Sequence, residues 1–292
     1  MISVHYTGIA ARRDWVVPAV SLLLAIAGTP QLRAQTADSA PRGNLPQSAD
    51  SATARYLAQG IWAAQHMDPA GAVHQFENVL ALDSTNYQAN WRMATALIDI
   101  GKQTPDDVKS KARDSLYLLA ERYARRAVDA KLLGADGHYA LAAAIGRTSL
   151  TKGNRERVVR ARDIWVEAHK ALELDPDHAK AHHVLGLWHA ETMRLSGLQR
   201  WFAKNVFGGD FLSRASWDKA EEHLARAVAL DPKSIFHRLD LARVYVDTKQ
   251  YAAARGQLAA IATLPLRDVM DSTYQAQAAK LLEDIAGRRG SG

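Results

Sequence analysis

From about residue 53 to residue 265, small and apolar positions recur with helical spacing. One kind of segment carries a small residue inside an apolar stripe: Gly60, Ala94, Ala142, Gly186 and Ala242. The segment after it carries apolar residues four and seven positions apart: Ala72, Phe76, Val79; Ala120, Ala124, Ala127; Ile164, Ala168, Ala171; Ala220, Leu224, Ala227; Ala254, Leu258, Ile261. That spacing lines one face of an α-helix, and a small residue lets a neighbouring helix cross closely. From the first member of each apolar set to the next small residue the separation is 22, four times running. Pro176 and Pro232 follow ALELD and AVALD, where a helix must stop. The pattern predicts an all-α fold of about five helix hairpins. A last helix, about 268–286, with Arg288 and Arg289 at its end, would cap them.

The spacing inside each hairpin is uneven. From the small residue to the following apolar set it is 12 in the first and fifth hairpins, but 26, 22 and 34 in the middle three. The middle hairpins therefore carry insertions of 14, 10 and 22 residues, near 101–114, 149–158 and 193–214. All three fall in the turn inside a hairpin, hence on one edge of the array. The first reads as a longer second helix. Thr104-Pro105-Asp106-Asp107 offers an N-cap, a first-turn proline and first-turn acids, and Val108, Ala112, Leu116, Leu119 and Tyr123 continue a stripe. The second is basic and reads as a loop. The third is apolar and aromatic, with Trp201, Phe202, Phe207 and Phe211 around a Gly208-Gly209 turn.

A hairpin of this kind recurring with a constant 22-residue link resembles a tetratricopeptide (TPR) repeat. The resemblance implies a right-handed superhelical solenoid over 51–287. The run HVLGLWHAETMRLSGLQRWFAKNVFGGDFLSRASWDKAEEHLARAVALDP, followed by HRLDLARVYVD, is similar to bacterial relatives of the regulator of microtubule dynamics family. Those are TPR proteins with an expanded middle repeat. Eukaryotic members associate with microtubules or mitochondria. The export signal described next makes this chain resemble the bacterial branch, so the microtubule role is not carried over.

Arg12-Arg13 precede an apolar run from Trp15 to Gly28, and Leu32-Arg33-Ala34 offers a small-residue cleavage site. The run is short for a membrane span. Residues 1–34 read as a signal peptide, residues 35–50 as a disordered linker and 288–292 as a flexible tail. The expected location is periplasmic or secreted, with membrane anchoring if the signal stays uncleaved. The formal charge of +6 falls to +4 once Arg12, Arg13, Arg33 and Asp14 go. That charge is spread along the helices, with no arginine stripe or stacked aromatics for nucleic acid. The chain has no cysteine, which excludes disulfides, thiol chemistry and cysteine metal sites.

No HExxH, GxSxG or glycine-rich phosphate loop occurs, and no cofactor is expected. His178, His182, His183 and His189 cluster in sequence; His182 and His189 could share a helix face, as metal ligands do. They also fall where first helices place packing residues. A metal enzyme using them is one alternative. A small-molecule or lipid carrier with 193–214 as its lid is another. The main expectation is a non-catalytic adaptor that binds a protein segment in its concave groove. By register, Leu57/Ile61, Trp91/Thr95, Tyr139/Ala143, His183/Leu187 and Leu239/Arg243 face inward. None is the Lys and Asn pairing of a carboxylate clamp, so the groove reads as aromatic and apolar. The candidate partner-binding residues are Trp91, Thr95, Tyr139, His183, Leu187 and Arg243, with Trp201 and Phe202 on the third insertion.

Overall fold

The computed structural model describes residues 49–289, apart from the side chains of residues 49, 202, 204, 206 and 207. The expected signal peptide, most of the linker 35–50 and the last residues of the tail lie outside that range. Helices occupy most of the described chain, and no strand occurs in it. Five hairpins follow one another: α1 (Ala49–Gln65) with α2 (Pro69–Leu82), α3 (Tyr87–Lys102) with α4 (Lys111–Ala130), α5 (Ala135–Ser149) with α6 (Asn154–Leu174), α7 (Ala179–Arg194) with α9 (Trp217–Leu230), and α10 (Ile235–Asp247) with α11 (Tyr251–Ile261). α8 (Gly197–Phe207) and a 3-10 turn (Asp210–Arg214) lie inside the fourth. α12 (Asp271–Asp284) ends the array and packs on α10 and α11. The fold is an all-α, right-handed TPR-like solenoid with a C-terminal capping helix.

The local chemistry explains the helix ends. Asp68 accepts a hydrogen bond from Gly71 N at 2.8 Å and is followed by Pro69, which needs no amide partner in a first turn. Asn86, Ser110, Ser216 and Ser234 cap α3, α4, α9 and α10 in the same way. In the two hairpins with 12-residue spacing, Met67 and Lys249 take left-handed φ values of 60° and 62°. Asp68 N and Gln250 N then reach back to the carbonyls of Ala63 and Tyr245, which closes the short turns. The crossing residues do what their size allows. Ala94, Ala142 and Ala242 are fully buried, and a Cβ added at Gly60 would stand 2.5 Å from the Phe76 ring.

Two insertions differ from their sequence reading. α4 starts at Lys111 under the Ser110 cap, and Thr104–Asp107 form turns instead of its first turn. The reason is Arg113, buried at 6% exposure, whose Nη1 donates to Pro105 O at 2.6 Å and holds the 103–110 segment back on itself. The buried line of α4 is accordingly Arg113, Tyr117, Ala120, Ala124 and Ala127, one residue off the stripe through Val108 and Leu116. The second insertion lengthens α6 instead of forming a loop. Val158 is buried, and Arg160 donates to Glu121 and Thr148 at 2.9 Å each.

The third insertion packs on its neighbours. Ala203 and Leu212 are buried with Val158 and Trp188, and Phe211 lies against the same cluster. Gly208, at φ 71°, ends α8 in the left-handed conformation that glycine adopts without steric cost. Trp201 points elsewhere and is 55% exposed. Leu212→Ala is therefore expected to cost about 2–4 kcal/mol, as buried leucines do. Trp201→Ala should cost under about 0.5 kcal/mol, as a surface change. Urea unfolding of the two variants measures this, and equal losses would contradict the packing described.

Candidate functional site: the concave face

The first helices of the hairpins line the inner face, joined at the end by α12. Leu57, Ile61, Tyr139 and Ala143 are half-buried and pack against the N-terminal core. Trp91 is buried in that core, and the Thr95 hydroxyl is turned back to Arg92 O at 2.9 Å. Leu187 is half-buried. Leu239 is fully enclosed in the C-terminal core and offers no groove surface. His183 is 3% exposed, with its Nδ1 2.9 Å from Nδ1 of His237. Arg243 binds Asp240 at 2.6 Å and Gln277 of α12 at 2.7 Å. Trp201 is on α8, and the side chain of Phe202 is outside the described set.

The face is more charged than the two-per-helix register suggests. One further turn along the same stripes stand Asp99 and Lys102 on α3, 2.9 Å apart, and Arg147 on α5. On α10 the stripe is Phe236, Asp240 and Arg243. Phe236 lies 4.0 Å from the His183 ring and 5.3 Å from the Tyr274 ring of α12, stacked on the latter. Lys102 Nζ approaches the Phe236 ring centre to 5.6 Å. The solenoid thus curls until the end of α3 reaches α10. Extending each inward pair by one more turn would have found Asp99, Lys102 and Arg147 from sequence. Phe236 and Tyr274 gave no such signal, because they meet Lys102 only through the curl.

Burial alone would lower Lys102, but Asp99, Tyr274 and Asp268 outweigh it and raise its pKa. Burial alone would raise Asp240, but Arg243 and His183 hold its carboxyl well below the usual range. Both groups are therefore charged over the whole neutral range. The face presents fixed, paired charges beside an aromatic column.

The histidines form pairs across helices. His182 and His223 approach Nδ1 to Nδ1 at 2.9 Å, and His189 stacks on His223 at 5.8 Å, so His182 and His189 do share one face. No group of three or more His, Asp or Glu among the described residues is arranged to hold a metal ion. His138 bridges Glu167 and the Leu132 carbonyl, and His178 caps α7 through Ala181 N. Packing places these rings, and hydrogen bonds meet most of their nitrogens; His183 Nε2 and His189 Nδ1 have no hydrogen-bond partner among the described residues.

The comparisons with known proteins agree with this architecture. Over 78% of its length the chain superposes on a thermophilic TPR protein of Thermus thermophilus, covering 99% of it, with TM-score 0.57 and 19% identity. It is 25% identical over 207 residues to regulator of microtubule dynamics protein 1 of Bos taurus, a match spanning 70% of this chain and 64% of that protein. The Mus musculus protein gives 25% over 204 residues, 70% of this chain and 66% of its own. The chain thus spans about two thirds of the curated relatives it matches. The family model for regulator of microtubule dynamics protein 1-3 matches residues 58–286, nearly the whole described solenoid, and the chain belongs to that family.

Proposed function

We propose that the chain is an exported, non-catalytic adaptor that binds an extended protein segment along the concave face. The observation that carries this is the inner row itself. Tyr139, Leu187 and Phe236 supply apolar contact, while Asp99, Lys102, Arg147 and Arg243 supply charged groups in fixed positions, with buried Tyr274 and Asp240 holding Phe236 and Arg243 from behind. Such a mixture suits a peptide with alternating side chains and backbone polar groups. The likeness to a TPR structure supports the fold on which such binding rests. No helix among the described residues is long and apolar enough to cross a membrane. The carrier reading loses support because the third insertion covers packed side chains, Val158 and Trp188.

The test is site-specific photocrosslinking in the host cell. A crosslinking residue at Thr95 or Leu187 on the inner face is compared with one at Leu118 or Val166, which are exposed at 50% and 45%. A discrete protein captured from the inner positions alone supports the reading. Capture from the outer positions alone overturns it. Export is tested separately by N-terminal sequencing of the mature protein, expected to start near Gln35.

A further inference from the structure

Three cations meet where the C-terminal ends of α3 and α5 approach α4. Lys102 is held by Asp99 at 2.9 Å and Arg113 by Asp114 at 3.1 Å, acids on their own helices. Arg147 is different. Its ion pair among the described residues is with Asp106, at 3.3 Å, and Asp106 lies on the 103–110 turns. The same carboxylate stands 4.0 Å from Arg113 Nη1. Both distances exceed the 2.7–2.9 Å typical of a charge-assisted hydrogen bond, so Asp106 fits these cations loosely. The Arg113 and Arg147 side chains are sunk, at 7% and 25% exposure, while Asp106 is 47% exposed.

Beside them is a second, independent sign. The Tyr117 side chain is 2% exposed and its hydroxyl has no hydrogen-bond partner among the described residues. Arg147, Asp106, Arg113 and Lys102 are the charges that act on it. Its ring is fixed against Gly101, where an added Cβ would be 2.3 Å away, so the hydroxyl cannot swing to a partner elsewhere. A buried donor left unmet is costly and calls for an explanation; here it lies among the charges of Arg147, Asp106 and Arg113. Lys102, the third cation, reaches to 5.6 Å of the Phe236 ring centre, which puts this corner at the end of the concave face.

We propose that Arg147, Arg113 and the Tyr117 hydroxyl form a carboxylate receptor at this end of the concave face, with Asp106 as its internal occupant until the carboxylate of a bound peptide displaces it. The proposal rests on reading the face as a peptide site, and it adds the chemistry that the peptide must bring. A free carboxylate can use the guanidinium fork of Arg147 two-pronged and accept from Tyr117 as well, which Asp106 does not. Asp106 is well suited to yield, being exposed and on a turn, and the sunk arginines are not left unpaired because the incoming carboxylate takes its place.

The probe is a blocked alanine tetrapeptide with a free C-terminal carboxylate, titrated calorimetrically into the full chain at low salt. Its C-terminal amide and inorganic phosphate serve as comparisons. Asp106→Asn removes the competitor and is expected to tighten the acid peptide about tenfold. Adding Arg147→Gln to Asp106→Asn should abolish binding, and the amide should not bind at all. Tyr117→Phe in the Asp106→Asn background should weaken binding while leaving the melting temperature unchanged or raised; a purely structural hydroxyl would leave the affinity alone. Unchanged affinity in Asp106→Asn, binding that survives Arg147→Gln, equal binding of the amide, or binding of phosphate alone would each overturn the proposal. If Asp106→Asn fails to fold, Tyr117→Phe in the parent chain decides by the same reading. Inner-face crosslinking that persists while the peptide fails would remove this receptor and leave the adaptor reading standing. Loss of inner-face crosslinking would remove the adaptor reading itself.

Discussion

Gly186→Leu is expected to lower the melting temperature by about 4–8 °C. Gly186 is where α7 crosses α9. A Cβ placed there would stand 2.5 Å from Leu224 Cγ, 3.0 Å from its Cδ2 and 3.1 Å from its backbone nitrogen. The Leu224 side chain is fully buried and cannot turn aside, and its nitrogen belongs to the helix. Relieving the contact means separating the two helices. Overpacking of this kind costs about 1–3 kcal/mol, and a whole leucine side chain belongs at the upper end. Removing a mid-helix glycine returns only about 1 kcal/mol of helix propensity. The balance is a loss of about 2 kcal/mol, and each kcal/mol moves the midpoint of a chain this size by about 2–4 °C. Gly256 is the internal control. It sits within α11 with nothing inside 4 Å of the added Cβ, so Gly256→Ala should stabilise by up to about 1 kcal/mol. A melting temperature that holds or rises for Gly186→Leu would mean that α7 and α9 do not cross there.

The helix hairpins were legible because the signal was repeated. Ala94, Ala142, Gly186 and Ala242 recur at a constant distance from the preceding apolar set, and that distance is fixed by one helix, one turn and half of the next helix. A constraint seen four times over separates itself from chance. The insertions had no such repetition. Arg113 reads as a surface residue, yet it is buried because Nε and Nη2 donate to Asp114 and one Nη1 hydrogen goes to Pro105 O, and that last bond moves the start of α4. Thr104-Pro105-Asp106-Asp107 has good helix-start chemistry, but a tertiary acceptor for one arginine outweighed it. On the concave face, the inward positions nearest the crossing residues were readable from register. The charged third turn required counting beyond the repeat unit. The column of His183, Phe236 and Tyr274 depends on curvature, which accumulates from small rotations at every hairpin and is written at no single position.

The second large effect is a loss of stability in mild acid. His189 and His223 are pushed down to about 4, and His237 to about 2, from an ordinary value of 6.5. Burial is the main cause in all three. For His189 the positive neighbours His169 and Lys219 add to it, for His223 the rings of His182 and His189, and for His237 the ring of His183 and Lys180. The geometry gives the same answer. In each Nδ1-to-Nδ1 contact of 2.9 Å, one ring donates its hydrogen to the bare nitrogen of the other, so at most one ring of each pair can be doubly protonated, and burial opposes even that one. The folded chain therefore keeps these rings neutral where the unfolded chain protonates them. Their contribution is complete above pH 6.5 and is lost as pH falls from there towards 4, with His237 continuing to about 2. Each excluded proton is worth up to about 1.4 kcal/mol per pH unit. Allowing for the solvent contact that half-buried His223 keeps, the loss between pH 6.5 and 5 should be roughly 2–4 kcal/mol. The depressed carboxyls, Asp240 and Glu121 among them, act in the same direction but only below their ordinary values of 3.8 and 4.5, so the window separates the two causes. Urea midpoints at pH 7, 6 and 5 measure it. His237→Gln should flatten the slope between pH 6.5 and 5 by about one proton's worth, because one proton-excluding ring has gone. A stability independent of pH between 7 and 5, or a slope unchanged in His237→Gln, would show that these rings are not held neutral between the helices.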